Sequence, residues 1–289
     1  MPWLPDFVSA LELARREVRA AGRVDPVGQY IAALNEGDSR VLETAWPGEV
    51  VVHDPSAGMV RGHRQLRRFI RDSRARLAAR RASVERLADT YVMGRAVVEL
   101  LVHLGGDGPE VDWPIAVVAE SVDDRSVVFR TYCSRRPVDG RSHLRSAVLG
   151  AGTDRPGDVV GAYQDGLQAG DVDATVSAFA PDGYYREPLG NAATHRGSIE
   201  LRSFFTECFG GVGGIVLERC AVTDDGVRCA LEYNCVRWAG RDLAPQAGIC
   251  VHERGADGLL AGVRVYDDVE AATDPARART VLGAARDRS

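Results

Sequence analysis

The side chains best suited to chemistry in this chain of 289 residues occur in pairs. Glu99 stands within Ala96-Val97-Val98-Glu99-Leu100-Leu101-Val102, where both faces of a strand are apolar, so its carboxylate is buried whichever way it points. Desolvation there is expected to raise its pKa, and a carboxylic acid kept partly neutral near pH 7 can serve as a general acid. A structural ion pair with Arg95 or Arg130 is the alternative reading. Glu232 repeats the placement. A second pair, Asp54 and Glu187, stands directly before Pro55 and Pro188. A carboxylate of either length suits proton transfer, although an acid before proline also caps turns. Tyr30 and Tyr163 form the third pair, at a helical position that equally suits an ordinary packed tyrosine with its hydroxyl satisfied.

Composition removes other chemistries. All 36 basic residues are arginine, so no mechanism can run through a lysine amine, whether a Schiff base, pyridoxal phosphate or a phosphate-loop lysine. The six cysteines, Cys133, Cys208, Cys220, Cys229, Cys235 and Cys250, show no Cys-x-x-Cys spacing and read as reduced packing residues. No cluster has metal-ligand spacing, and no metal or organic cofactor is expected. A net charge of -5 argues against nucleic acid or an anionic membrane as partner. Neither a signal peptide nor a long apolar span is legible, which places the chain in the cytoplasm. Trp113, Trp238, Tyr185 and Tyr233 are candidates to line a pocket for a flat or polycyclic ligand, with Asn234 also a ligand-binding candidate. Core packing explains the aromatics equally well. His53 and His195 read as surface histidines. The arginines between Arg61 and Arg86 crowd one helix and read as a solvated face.

The pairing of candidates reflects an internal repeat. Asp25, Val27, Gly28, Tyr30, Leu34, Gly37 and Asp38 recur 133 positions later as Asp158, Val160, Gly161, Tyr163, Leu167, Gly170 and Asp171. Pro55, Glu85, Arg86, Arg95 and Glu99 keep that register, with a slip of two where Arg61-Gly62 meets Arg196-Gly197. The units run over about 24–135 and 157–270, with an N-terminal helical strap over 1–23, an exposed linker over 136–156 and a tail over 271–289. Within the first, Asp25-Pro26 starts a helix that Asn35-Glu36-Gly37-Asp38 ends. A short helix through Trp46, a strand over 50–54 and a helix over 63–80 follow. β segments near 83–92, 95–104, 111–120 and 126–133 complete the unit. Helices followed by a meander mean α+β, with helices on one face of a curved antiparallel sheet.

Gln29-Tyr30-Ile31-Ala32-Ala33-Leu34-Asn35-Glu36-Gly37-Asp38, then Val51-Val52-His53-Asp54-Pro55, then Arg61-Gly62 before a helix resemble the nuclear-transport-factor-2-like superfamily. Its ketosteroid isomerases and SnoaL-type polyketide cyclases are the nearest likenesses. The second unit repeats the likeness through Tyr163, Gly170-Asp171, Tyr185-Arg186-Glu187-Pro188 and Arg196-Gly197. The resemblance implies a cone with one apolar pocket per unit, and an intramolecular pseudo-dimer. It also implies that Asp54 and Glu187 hold the place of the catalytic base, that Glu99 and Glu232 line the pocket, and that Tyr30 and Tyr163 donate to a developing oxyanion. The partner acid of the isomerase oxyanion hole is replaced by Ala116 and Ala247, which favours epoxide opening or polyketide cyclisation of a hydrophobic small molecule over double-bond isomerisation. A non-catalytic ligand carrier or interaction module is the alternative from another class. The more polar and aromatic neighbours of Glu187 and Glu232 favour the second unit as the more active.

Overall fold

The computed structural model describes residues 25–106 and 108–267; the strap and tail expected at the ends lie outside these residues. The first repeat runs α1 (Pro26–Glu36), α2 (Arg40–Ala45), β1 (Val50–Asp54), β2 (Gly58–Arg61), α3 (His63–Ala79), β3 (Ser83–Val92), β4 (Arg95–Leu104), β5 (Val111–Ser121) and β6 (Val127–Tyr132). After a single turn of helix, α4 (Arg136–Asp139), the second repeats it: α5 (Val159–Ala169), α6 (Val172–Ser177), β7 (Phe179–Arg186), β8 (Thr194–Arg196), α7 (Gly197–Phe209), β9 (Ile215–Asp224), β10 (Arg228–Trp238), β11 (Arg241–Arg254) and β12 (Leu260–Val265).

The repeated Asp and Gly punctuation works as its chemistry dictates. Asp25 accepts the Gly28 N–H at 2.9 Å and Asp158 that of Val160 at 3.1 Å, each covering an orphan donor of the first turn. Gly37 and Gly170 end the helices in the left-handed region, at φ 77° and 70°. An arginine from the sheet clamps each capping acid: Arg86 reaches Asp25 at 2.8 Å and Arg254 reaches Asp158 at 2.5 Å.

Two six-stranded sheets result, ordered β2-β1-β6-β5-β4-β3 and β8-β7-β12-β11-β10-β9. Each is mixed where a wholly antiparallel sheet was expected. The last strand of each meander lies parallel to the first strand of its repeat, β6 beside β1 and β12 beside β7. Two strands can pair in parallel only across a long crossover, and the intervening helix and meander provide it. By compactness the described residues divide into a unit of 25–89, 93–106, 108–110 and 117–131 and a second unit of 90–92, 111–116 and 132–267. The second is built round Val160, Leu201, Phe205, Leu231 and Leu260, all buried. The segment expected as a bare linker is tied to that unit. Ser146 bridges to Gln246, and Gly152 donates to the Arg219 carbonyl at 2.7 Å.

Candidate functional site

A cavity opens in the second unit between α5, α7 and the face of the sheet they cover. It is small: the centre of a water molecule can explore about 50 Å³ of it. Tyr163 and Leu167 come from α5 and Phe204 from α7; Ile215, Leu217, Cys250, Val263 and Val265 complete an apolar wall. Two carboxylates, Glu187 and Asp267, line it together with Tyr185, Tyr233 and Trp238.

Asp267 follows β12, and its Oδ2 accepts the buried Tyr233 hydroxyl at 2.7 Å. Burial, with the acid beside it, drives the Tyr233 hydroxyl well above the ordinary tyrosine range, so it stays a neutral donor. Burial does the same to Tyr163 and Tyr185. A glycine makes the pair possible. Gly248 lies directly across from Tyr233 in the β10–β11 ladder, and a Cβ on it would fall 2.3 Å from Asp267 Oδ2 and 2.7 Å from two ring carbons of Tyr233.

Glu187 sits at the end of β7, half-buried. His195 on β8 reaches it through Nε2, 2.9 Å from Oε1, and stacks on Phe204 at 4.2 Å between ring centroids. The antiparallel register that sets Tyr185 opposite His195 brings the imidazole to this side. Beneath the cavity, Tyr163 meets the edge of the fully buried His252 at 5.5 Å. His252 Nδ1 lies 3.1 Å from the Cys229 carbonyl, a contact that only a protonated Nδ1 can make. Burial holds this imidazole down to about 4, and pushes the neighbouring Cys250 thiol well up, so both are neutral.

Of the residues singled out in the second repeat, the structure brings Glu187, Tyr163, Tyr185, Tyr233 and Trp238 together at the cavity and leaves Glu232 and Asn234 elsewhere, as it does Trp113 of the first repeat. Tyr233 points inward, so strand alternation turns Glu232 and Asn234 to the other face of β10. There Glu232, fully buried, accepts the Tyr132 hydroxyl at 2.8 Å, and Asn234 donates to the Leu149 carbonyl at 3.0 Å. The expected meeting of Glu187 with Glu232 is replaced by a meeting of Glu187 with Asp267. Trp113 donates its indole N–H to the Ser134 carbonyl at 2.6 Å and does not line the cavity.

In the first repeat Asp54 caps a turn, its Oδ1 accepting the N–H groups of Ser56 and Ala57 at 2.8 and 2.9 Å. Tyr30 is buried and stacks on Phe129 at 4.6 Å. Glu99 is buried at the β4 position matching Glu232. At the positions of Tyr185 and Tyr233 this repeat carries Val52 and Leu100, the registers of β1 with β6 and of β7 with β12 set Cys133 at the place of Asp267, and Val60 replaces His195 once the slip of two is counted. Polar furniture in one copy thus faces apolar filling in the other. The arginines of α3 are exposed, with Arg67 paired to Glu43 and Arg68 and Arg71 beside Asp72.

A pair of α+β cones, each with helices over one face of a mixed sheet, defines the broad nuclear-transport-factor-2-like class. A family model described as a SnoaL-like domain matches the chain twice, over residues 27–129 and 160–263, and the chain belongs to that family. Solved structures similar to it include an NTF2-like protein of unknown function from Cytophaga hutchinsonii (15% identity, 40% of this chain and 93% of that one, TM-score 0.32). A putative polyketide cyclase from Sinorhizobium meliloti is 22% identical over 37% of this chain and 92% of its own, with a TM-score of 0.31. The epoxide hydrolase/cyclase-like enzyme SalBIII, of pyran ring formation in salinomycin, is 20% identical over 37% and 86%, with a TM-score of 0.32. No curated protein matches the chain. Among the described residues no helix is long and apolar enough to cross a membrane.

Proposed function

We propose that the second unit is a cofactor-independent acid–base enzyme that opens an epoxide or closes a ring on a hydrophobic small molecule. The observation that carries this reading is that two carboxylates from different parts of the chain, Glu187 and Asp267, line one largely apolar cavity. In this reading Asp267, held by the Tyr233 hydroxyl, takes the proton from the attacking water or hydroxyl. Glu187 gives a proton to the oxygen that leaves carbon, and His195 behind it, partly exposed, restores that proton from solvent. Tyr163 and Tyr185, kept neutral by burial, steady the charge that develops on oxygen. The first unit has the role of a scaffold. An intramolecular pseudo-dimer remains our reading of there being two copies in one chain.

The test is conversion of a panel of hydrophobic epoxides and hydroxy-epoxides by the purified protein, with any co-purified small molecule identified by mass spectrometry after denaturation. Turnover that is lost in Glu187→Gln and in Asp267→Asn supports the reading. A co-purified ligand returned unchanged, with no member of the panel converted, refutes it in favour of a carrier.

A further inference from the structure

Arg186 is the last residue of β7, and strand alternation turns it to the face of the sheet opposite the cavity that Tyr185 and Glu187 line. Only 5% of it is exposed, and its Nε and Nη2 find no hydrogen-bond partner among the described residues. Its Cζ lies 5.0 Å from the centroid of the Tyr266 ring, a contact that offsets charge on one flat side of the guanidinium and leaves the N–H edge unmet. The ladders set Thr194 and a second arginine, Arg264, directly across from it. Arg264 donates to the Tyr184 hydroxyl and to Glu253 at 2.7 Å each, and Glu253 is shared with Arg228. A buried amine escapes such a position by losing its proton, whereas a guanidinium keeps its charge. The first repeat shows the contrast: across from Arg130, the counterpart of Arg264, stands His53, whose imidazole can shed a proton.

Which two nitrogens are orphaned identifies what belongs there. Nε and Nη2 carry the parallel N–H groups of the guanidinium's side-on fork, the edge that matches two oxygens of one anion. Elsewhere in the chain this edge is filled in that way. Arg61 gives the same two nitrogens to the two oxygens of Glu49 at 2.7 and 3.0 Å, and Arg67 does so with Glu43 at 2.8 and 2.5 Å. The geometry points to an anion site at Arg186, where an ion presenting two oxygens along one edge, a carboxylate or a phosphate, lies against Nε and Nη2. The low exposure of Arg186 restricts the occupant to a small ion or to the anionic tip of a larger molecule. The site lies on the other face of the sheet from the cavity, so it does not depend on the proposed reaction.

Calorimetric titration of the full chain at neutral pH and fixed ionic strength with inorganic phosphate, acetate and chloride tests it. Phosphate or acetate should bind saturably and about tenfold tighter or more than chloride, which cannot span the fork, and the tighter of the two names the natural occupant. Arg186→Gln should weaken that binding about tenfold or more, and Arg64→Gln, on the exposed face of α3, should leave it unchanged. Selenate soaked into crystals of the wild-type protein locates the bound anion by its anomalous scattering without any variant, with a peak expected beside Nε and Nη2 of Arg186. Absence of saturable binding by either oxyanion, chloride binding as tightly as both, binding unaffected by Arg186→Gln, or selenate absent from Arg186 would each overturn the proposal.

Discussion

Replacing Gly248 by alanine adds one methyl group at the most crowded point of the cavity wall. That carbon would lie 2.3 Å from Asp267 Oδ2 and 2.7 Å from the Tyr233 ring, where relaxed contacts need about 3.5 Å. Tyr233 is buried and packed against the core, so the strain falls on the Asp267 carboxylate and on its 2.7 Å hydrogen bond. Overpacking of this kind costs about 1–3 kcal/mol, and a broken buried hydrogen bond about 1–3 more. The better fit of alanine to a strand returns less than about 1 kcal/mol. A net loss of about 1–6 kcal/mol follows, to be read as a lower urea midpoint at unchanged slope. Gly150→Ala is the control, since no atom lies within 4 Å of its Cβ position, and it should stay within about 0.5 kcal/mol of wild type. Equal midpoints for the two variants would refute the argument that Gly248 exists to admit the Tyr233–Asp267 pair.

Acid should weaken the protein well above the carboxylate range. The His252 imidazole, at about 4 in the folded state against 6.5 ordinarily, refuses a proton that the unfolded chain accepts. Stability is therefore full above pH 6.5, falls as pH drops through that window and levels off below 4, a loss of about 3 kcal/mol. Urea unfolding at pH 7 and 4.5 measures it, and His252→Met should flatten the slope; an unchanged slope in the variant contradicts the assignment. Tyr233→Phe removes the donor to Asp267 and should cost about 1–3 kcal/mol in thermal or urea unfolding. A variant as stable as wild type would show that the hydrogen bond contributes nothing.

The fold was legible because its signals are local and doubled. Asp-Pro and Asn-Glu-Gly-Asp bracket the first helix in sequence as they do in structure, and the meander strands fall where the apolar runs put them. The parallel pairing of β1 with β6 was not legible, since no residue pattern in β1 announces a partner 77 positions away. Part of the candidate cavity's lining was legible too. Glu187, Tyr163, Tyr185 and Trp238 stand where a pocket requires them. Glu232 drew attention because an acid in an apolar strand is conspicuous, yet a strand buried on both faces hides which face is the pocket. Tyr233, the residue that settles this for β10, reads in the sequence equally as a pocket-lining and as a core aromatic. Asp267 lies past the last strand, and its counterpart Cys133 is not an acid, so a search for recurring acids passes over it. Gly248 carried a usable signal, a glycine inside a strand, which marks close approach of another group. His195 looked like a surface histidine because Glu187 is eight residues away in sequence and adjacent only through the β7–β8 register.

The central claim is that chemistry belongs to the second unit and runs through Glu187 and Asp267. Once a substrate is found, kcat/KM for Asp267→Asn, Glu187→Gln and Asp54→Asn measured side by side tests it most directly. The account predicts losses of about a hundredfold or more for the first two, the scale of a positioned general acid or base, and a rate within about twofold of wild type for the third. Equal losses from Asp54→Asn and Glu187→Gln, or full activity in Asp267→Asn, would contradict it.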